Sequence, residues 1–201
     1  MREARIDVSA GAALLLALLV FLLTGEELLA LVLPVAAHEL GHLAAILALG
    51  LNPRRFSAGL GGFSLDYAGD PGILGHVGIA AAGPVAGLLY AWAASRLGTS
   101  SGENWLCLSA GISLLLSLFN LLPALPLDGG QILSRLSVAA LGEQRGTRLC
   151  RIVQITVAAL LAAAGGLLLI RGKGAALLLM GIGLLFGGET APGLVKKGKI
   201  R

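Results

Sequence analysis

The sequence predicts an all-α polytopic membrane protein with about six transmembrane helices, and three observations carry that prediction. The 201 residues are 56% hydrophobic and 13% charged, about half the charge content of a soluble domain, so the chain cannot coat itself for water. The apolar residues gather into long runs with no strand-like alternation. The basic residues stand at the ends of those runs and form no stripe, so a net charge of +4 reports membrane orientation, and nucleic-acid binding is not expected.

The runs are Ser9–Leu23, Leu28–Leu49, Ile73–Leu97, Trp105–Leu122, Ile152–Ile170 and Ala175–Phe186. A span needs about 20 apolar residues. The second, third and fifth runs meet that length, the fourth nearly does, and the first and last are short. Ser9–Leu23 follows Arg2 and Arg5 as a signal peptide would, but no small-x-small cleavage site precedes Glu26-Glu27, so it reads as a retained first helix. With six spans both termini share a side. That side collects 12 of the 15 Lys and Arg residues, leaving Arg96, Arg171 and Lys173 opposite, and the positive-inside rule makes it the cytoplasm. Trp92 and Trp105 then read as interfacial anchors, and Cys107 and Cys150 as free thiols near opposite faces.

Two segments are not simple spans. Residues 52–71 (NPRRFSAGLGGFSLDYAGDP) are Gly-rich with partial alternation, and two short runs around Gly61-Gly62 predict a re-entrant β-hairpin-like loop. Residues 120–131 (NLLPALPLDGGQ) interrupt an apolar region with Pro123, Pro126, Gly129 and Gly130 and predict a broken helix. Irregular backbone at membrane depth is tolerated only where protein or a water-filled cavity satisfies its polar groups.

The second run contains His38-Glu39-Leu40-Gly41-His42, an HExxH motif. On a helix, residues i and i+4 share a face, so both imidazoles can reach one zinc ion. Glu39 lies about 100° around the axis, placed to act as general base on a coordinated water whose pKa zinc lowers to about 7. A chance HExxH in this composition is expected on the order of once in a thousand sequences. A polar patch that glues helices together is the bland alternative; it explains polarity but not this residue order.

Such a site needs a third protein ligand and an open position. Asp128 is the candidate, being the carboxylate in the broken apolar segment, although Asp-Gly is also a common turn pair. His76, at the start of the third run with no local partner ligand, reads as an interfacial histidine.

HELGH in one span and NLLPALPLDGG in a later one resemble the site-2 protease family of intramembrane zinc metalloproteases, and Gly83-Pro84 resembles the family's intervening span. The resemblance covers about residues 28–135 of what would be a single intramembrane metalloprotease domain over residues 1–201, with additional spans at 9–23, 152–170 and 175–186. It implies one Zn²⁺ per chain held by His38, His42 and Asp128, with Glu39 as catalytic acid/base. Asn120 would match an active-site Asn that positions substrate or the oxyanion, or else serve as a helix-packing amide. Gly87 departs from the pattern, because family members often carry Asn there.

The compact body is most similar to the bacterial sporulation-type subgroup. The resemblance therefore implies regulated intramembrane proteolysis in a bacterial cell membrane. The substrate would be a membrane-anchored protein, such as a transcription-factor or anti-sigma-factor precursor, cut near the cytoplasmic face, with a regulatory membrane protein as a further partner. Gly61, Gly62 and Phe63 are candidates for capturing the unwound substrate as an added strand. A zinc or proton transporter also carries intramembrane His and Asp but has no need of Glu39. A non-catalytic scaffold would have no reason to keep every ligand.

Overall fold

The computed structural model describes residues 5–59 and 62–187, and the chain divides into two compact units, Met1–Asn120 and Leu121–Arg201. The first unit contains β1 (Arg5–Val8), α1 (Ala10–Leu22), α2 (Gly25–Ala48), β2 (Asn52–Gly59), β3 (Gly62–Ala68), α3 (Gly72–Ser101) and α4 (Asn104–Asn120). The second contains α5 (Asp128–Leu141), α6 (Glu143–Leu169) and α7 (Ala175–Gly187).

In the first unit the helix starts follow from local chemistry. Ser9 caps α1 by accepting from the Ala12 amide at 3.2 Å. Thr24 and Glu27 form a capping box at the head of α2: the Glu27 amide donates to Thr24 Oγ1 at 3.3 Å and the Thr24 amide to Glu27 Oε2 at 2.9 Å. α1 buries none of its residues, as suits a helix that faces lipid.

The expected hairpin is present as a β2–β3 antiparallel pair, with Phe56 opposite Leu65 and Asn52 opposite Ala68. The sequence reading is corrected in one respect, since residues 5–8 form an unforeseen third strand. β1 pairs in parallel with β2, giving the order β1-β2-β3, and Asp7 takes an ion pair from Arg55 at 3.1 Å. Arg5-Ile6-Asp7-Val8 does alternate polar with apolar, but four residues are too few to announce a strand.

α3 and α4 approach closely because small residues face each other. Ser109, Ser113 and Ser117, spaced by four on α4, are each 0% exposed. Ser113 Oγ donates to the Gly87 carbonyl at 2.8 Å, and Ser109 Oγ lies 2.7 Å from Tyr90 Oη. Such interhelical bonds contribute about 0.6 kcal/mol each in membranes.

In the second unit, residues 121–127 separate the end of α4 from α5. Their compaction depends on two glycines: a Cβ on Gly129 would come 2.1 Å from the Leu121 carbonyl oxygen, and one on Gly130 2.5 Å from that of Ala124. α5 is a separate helix that the sequence reading left unassigned, with Asp128, Gly129, Gly130, Ser134 and Ser137 buried. Gly142, at φ 80°, turns the chain into α6. α6 starts nine residues ahead of the apolar run expected at Ile152, so Arg145, Arg148 and Arg151 lie on helix. Gln154 Nε2 donates to the Leu184 carbonyl at 2.9 Å, and Ala124, Ala158 and Leu184 form the unit's small core.

Among the described residues three helices are long and apolar enough to cross a membrane: Gly25–Ala48, Gly72–Ser101 and Glu143–Leu169. Ala10–Leu22, Asn104–Asn120 and Ala175–Leu185 are apolar but shorter.

Candidate metal centre

His38 and His42 lie on one face of α2, one turn after Pro34, whose missing N–H leaves the Ala30 carbonyl without its helical donor. The Nε2 atoms of the two imidazoles are 3.1 Å apart, with ring centroids at 4.8 Å and planes at 81°. Two imidazoles on a tetrahedral zinc, each with a Zn–N bond of about 2.05 Å, place their nitrogens about 3.3 Å apart. The observed separation is close to that bite, so the pair fits the metal on geometry as well as on donor chemistry.

α3 sets the tautomer of His42. His42 Nδ1 lies 2.8 Å from the Ile79 carbonyl oxygen, which can only accept, so Nδ1 carries the hydrogen and Nε2 of the neutral ring keeps its lone pair. The approach that permits this bond rests on two glycines. A Cβ on Gly41 would stand 2.5 Å from the Ala82 carbonyl oxygen, and one on Gly83 would stand 2.2 Å from His42 Nε2. The backbone of α3 is therefore one wall of the imidazole site. His38 is buried, at 5% exposure, and His42 is half-buried.

Glu39, half-buried, follows His38 directly on α2. Asp128 is the first residue of α5 in the second unit and is 8% exposed. The segment before it, residues 121–127, carries Pro123 and Pro126, whereas Gly129 and Gly130, expected to break the helix, lie within the first turn of α5. Asn120 ends α4 and donates from Nδ2 to the Leu116 carbonyl at 3.1 Å, so its amide is engaged in its own helix. Gly62 and Phe63 open β3, with Phe63 opposite Ala58; Gly61 lies outside the described residues. His76 stays near the head of α3, with Nδ1 at 2.8 Å from the Gly72 carbonyl oxygen. Ile79 lies in no motif, and Gly41, although inside HELGH, stands at an unspecified position of HExxH, so the sequence marked neither as a wall residue. Gly83 was visible only as part of Gly-Pro.

With this geometry in place, comparison with known proteins is informative. Residues 82–164 match the model of peptidase family M50. The matched segment opens next to Gly83 and runs through Asp128 into α6. The fold over nearly the whole chain is that of a site-2 protease. Superposition on the Site-2 Protease from Methanocaldococcus jannaschii gives a TM-score of 0.70 at 22% identity, covering 98% of this chain and 94% of that one. A protein of Synechocystis sp. named "Putative zinc metalloprotease sll0528" is 35% identical over 117 residues, 55% of this chain. The chain spans 31% of that relative's length.

Proposed function

We propose that this protein is an intramembrane zinc metalloendopeptidase that cuts a membrane-anchored protein substrate near the cytoplasmic face. The observation that carries the reading is the His38–His42 pair, whose Nε2 atoms stand 3.1 Å apart with the His42 tautomer set by Ile79. His38, His42 and Asp128 would hold one zinc, two imidazoles and a carboxylate being a set that leaves one position open. Zinc, when bound, supplies Lewis acidity toward a carbonyl and acidity to water.

The remaining chemistry belongs to the chain. Glu39 takes the proton from the attacking water and returns it to the leaving amine. The Ile79 carbonyl holds the His42 ring in the tautomer that presents a lone pair. The apolar surroundings of α2 and α3 limit bulk water around these groups. The substrate helix must unwind before cleavage, because its own turns shield each peptide bond. β3 is an edge strand, paired with β2 on one side alone among the described residues, and its outer edge supports capture of the unwound segment by strand addition. Deleting Phe63–Tyr67 is expected to abolish cleavage while sparing zinc; unchanged cleavage would end the capture idea.

The sheet also supports the pairing of the first two spans within the six-span arrangement, in which both termini would be cytoplasmic. β1 precedes α1, β2 follows α2, and the two strands lie side by side. α1 and α2 together therefore return the chain to the side from which it entered. At 13 residues α1 is about 20 Å long, so its crossing calls for local thinning of a core of about 30 Å. Release of a transcription factor or anti-sigma factor is the cellular role this reading favours, with a second membrane protein controlling access.

The test compares wild type with Glu39→Gln, measuring zinc by elemental analysis and cleavage of a single-span substrate. The expected result is about one zinc in both, with Glu39→Gln slower by about 10²–10⁴-fold. A zinc-free wild type, purified without chelators, would refute the reading.

A further inference from the structure

α6 is long and apolar enough to cross a membrane, and it is longer than its apolar part. The run Ile152–Ile170 makes about 28 Å of helix, close to the hydrocarbon core of about 30 Å. The helix starts at Glu143, so its first turns stand beyond that core, where the headgroups lie. Arg151 and Arg148 are within about 6 Å of the apolar run along the axis, and Arg145 follows outward.

These three arginines are all exposed and, spaced by three, form one row on the helix. Gly146, Cys150 and Gln154, spaced by four, are the buried side, and the helical repeat sets the two rows on about opposite faces. Among the described residues none of the three guanidinium groups makes an ion pair. Arg148 and Arg151 line a shallow cavity of about 460 Å³ with Glu143, Gln144 and Thr147, where the net charge stays positive with the Glu143 carboxylate counted. Immediately after the row, the same face is bare hydrocarbon, with Ile152 and Ile155 at 56% and 50% exposure. The face thus changes from guanidinium to alkyl within one turn, as a phospholipid changes from headgroup to acyl chain.

We propose that this row is a binding site for an anionic phospholipid, its phosphate against Arg148 and Arg151 and an acyl chain along Ile155. Membrane orientation needs positive charge on one side, but not three unpaired arginines in one row of one helix. The planar fork of arginine also matches phosphate oxygens two at a time. A soluble acidic segment would satisfy the charge but gain nothing from Ile152 and Ile155, so the apolar continuation selects a lipid. The site lies wholly on α6 and does not depend on the metal centre.

The experiment is native mass spectrometry of the full chain in detergent, titrated with phosphatidylglycerol or phosphatidylcholine. A basic residue near an anionic lipid surface adds about fivefold to binding, so wild type is expected to prefer phosphatidylglycerol by about 25-fold. Arg148→Gln should lower phosphatidylglycerol retention about fivefold, and adding Arg151→Gln should abolish the preference. Glu143→Gln, which removes the acid from the cavity, should raise retention. Arg54→Gln, at an exposed arginine on β2, removes the same charge elsewhere and should change retention by less than about twofold. Equal losses in Arg148→Gln and Arg54→Gln would mean a diffuse attraction to membrane charge and would overturn the site. A wild type without preference for phosphatidylglycerol would overturn it as well, and binding of an oligoglutamate peptide by that protein would then assign the face to an acidic protein partner.

Discussion

Gly83→Ala tests how the metal pair is held. A Cβ at position 83 would lie 2.2 Å from His42 Nε2, 2.5 Å from Cε1 and 2.7 Å from Cδ2. Non-bonded heavy atoms rest at about 3.5 Å, so the ring or the helix must retreat by about 1.3 Å. Metal–ligand distances tolerate only about 0.2 Å, and a retreating ring also strains the bond from Nδ1 to the Ile79 carbonyl. Losing that second contact alone lowers metal affinity about 10–100-fold, and overpacking adds about 1–3 kcal/mol of destabilisation. The assay is zinc retention by the purified full chain against a graded series of chelators. Gly111→Ala serves as control, because a Cβ there meets nothing within 4 Å on the same class of helix. Gly83→Ala should release zinc at chelator strengths about 10–100-fold lower than Gly111→Ala. Equal retention by both would show that α3 does not pin the imidazole, and the tautomer argument would fail with it.

Two further outcomes follow from the packing. Gly87→Ala would place a Cβ 2.2 Å from Ser117 Oγ and should lower stability by about 1–3 kcal/mol, while adding Ser117→Ala should recover part of that loss in a double-mutant cycle read by thermal unfolding. Strict additivity would mean that the two residues do not meet. Gln154→Ala removes the donor to the Leu184 carbonyl and should cost about 0.6–2 kcal/mol in unfolding measurements, with zinc content unchanged; no cost would mean that α6 and α7 do not depend on this bond.

The parts of the fold readable in the sequence are those written by hydropathy and side-chain chemistry. The long helices followed from apolar runs, the hairpin from glycine and alternation, and His38 and His42 from a spacing that only a helix makes meaningful. The capping box at Thr24 and Glu27 was equally legible in principle, since Thr-x-x-Glu before an apolar run is its signature. β1 was not, because strand formation by four residues depends on a partner 50 residues away. α5 was missed for a different reason. Its polar and small residues lower its hydropathy below that of a span, although Ser134 and Ser137 are buried.

Gly87 shows where a motif comparison and a physical reading part company. Set against the family pattern, Gly87 is a missing Asn, which puts in doubt any role for that side chain. In the structure the same residue is a point of contact: Ser117 Oγ occupies the space a Cβ would need, and Ser113 Oγ bonds the Gly87 carbonyl at 2.8 Å. An Asn here would first have to move the Ser117 hydroxyl aside. The glycines of α3 thus do two jobs that sequence alone does not separate. Gly83 lets the helix backbone lie against His42, and Gly87 lets it lie against α4. Both are invisible to a search for polar residues, because the property selected is the absence of a side chain. The metal pair is therefore set by bare backbone: the Ile79 carbonyl orients His42 only because glycine at 41 and 83 lets α2 and α3 approach.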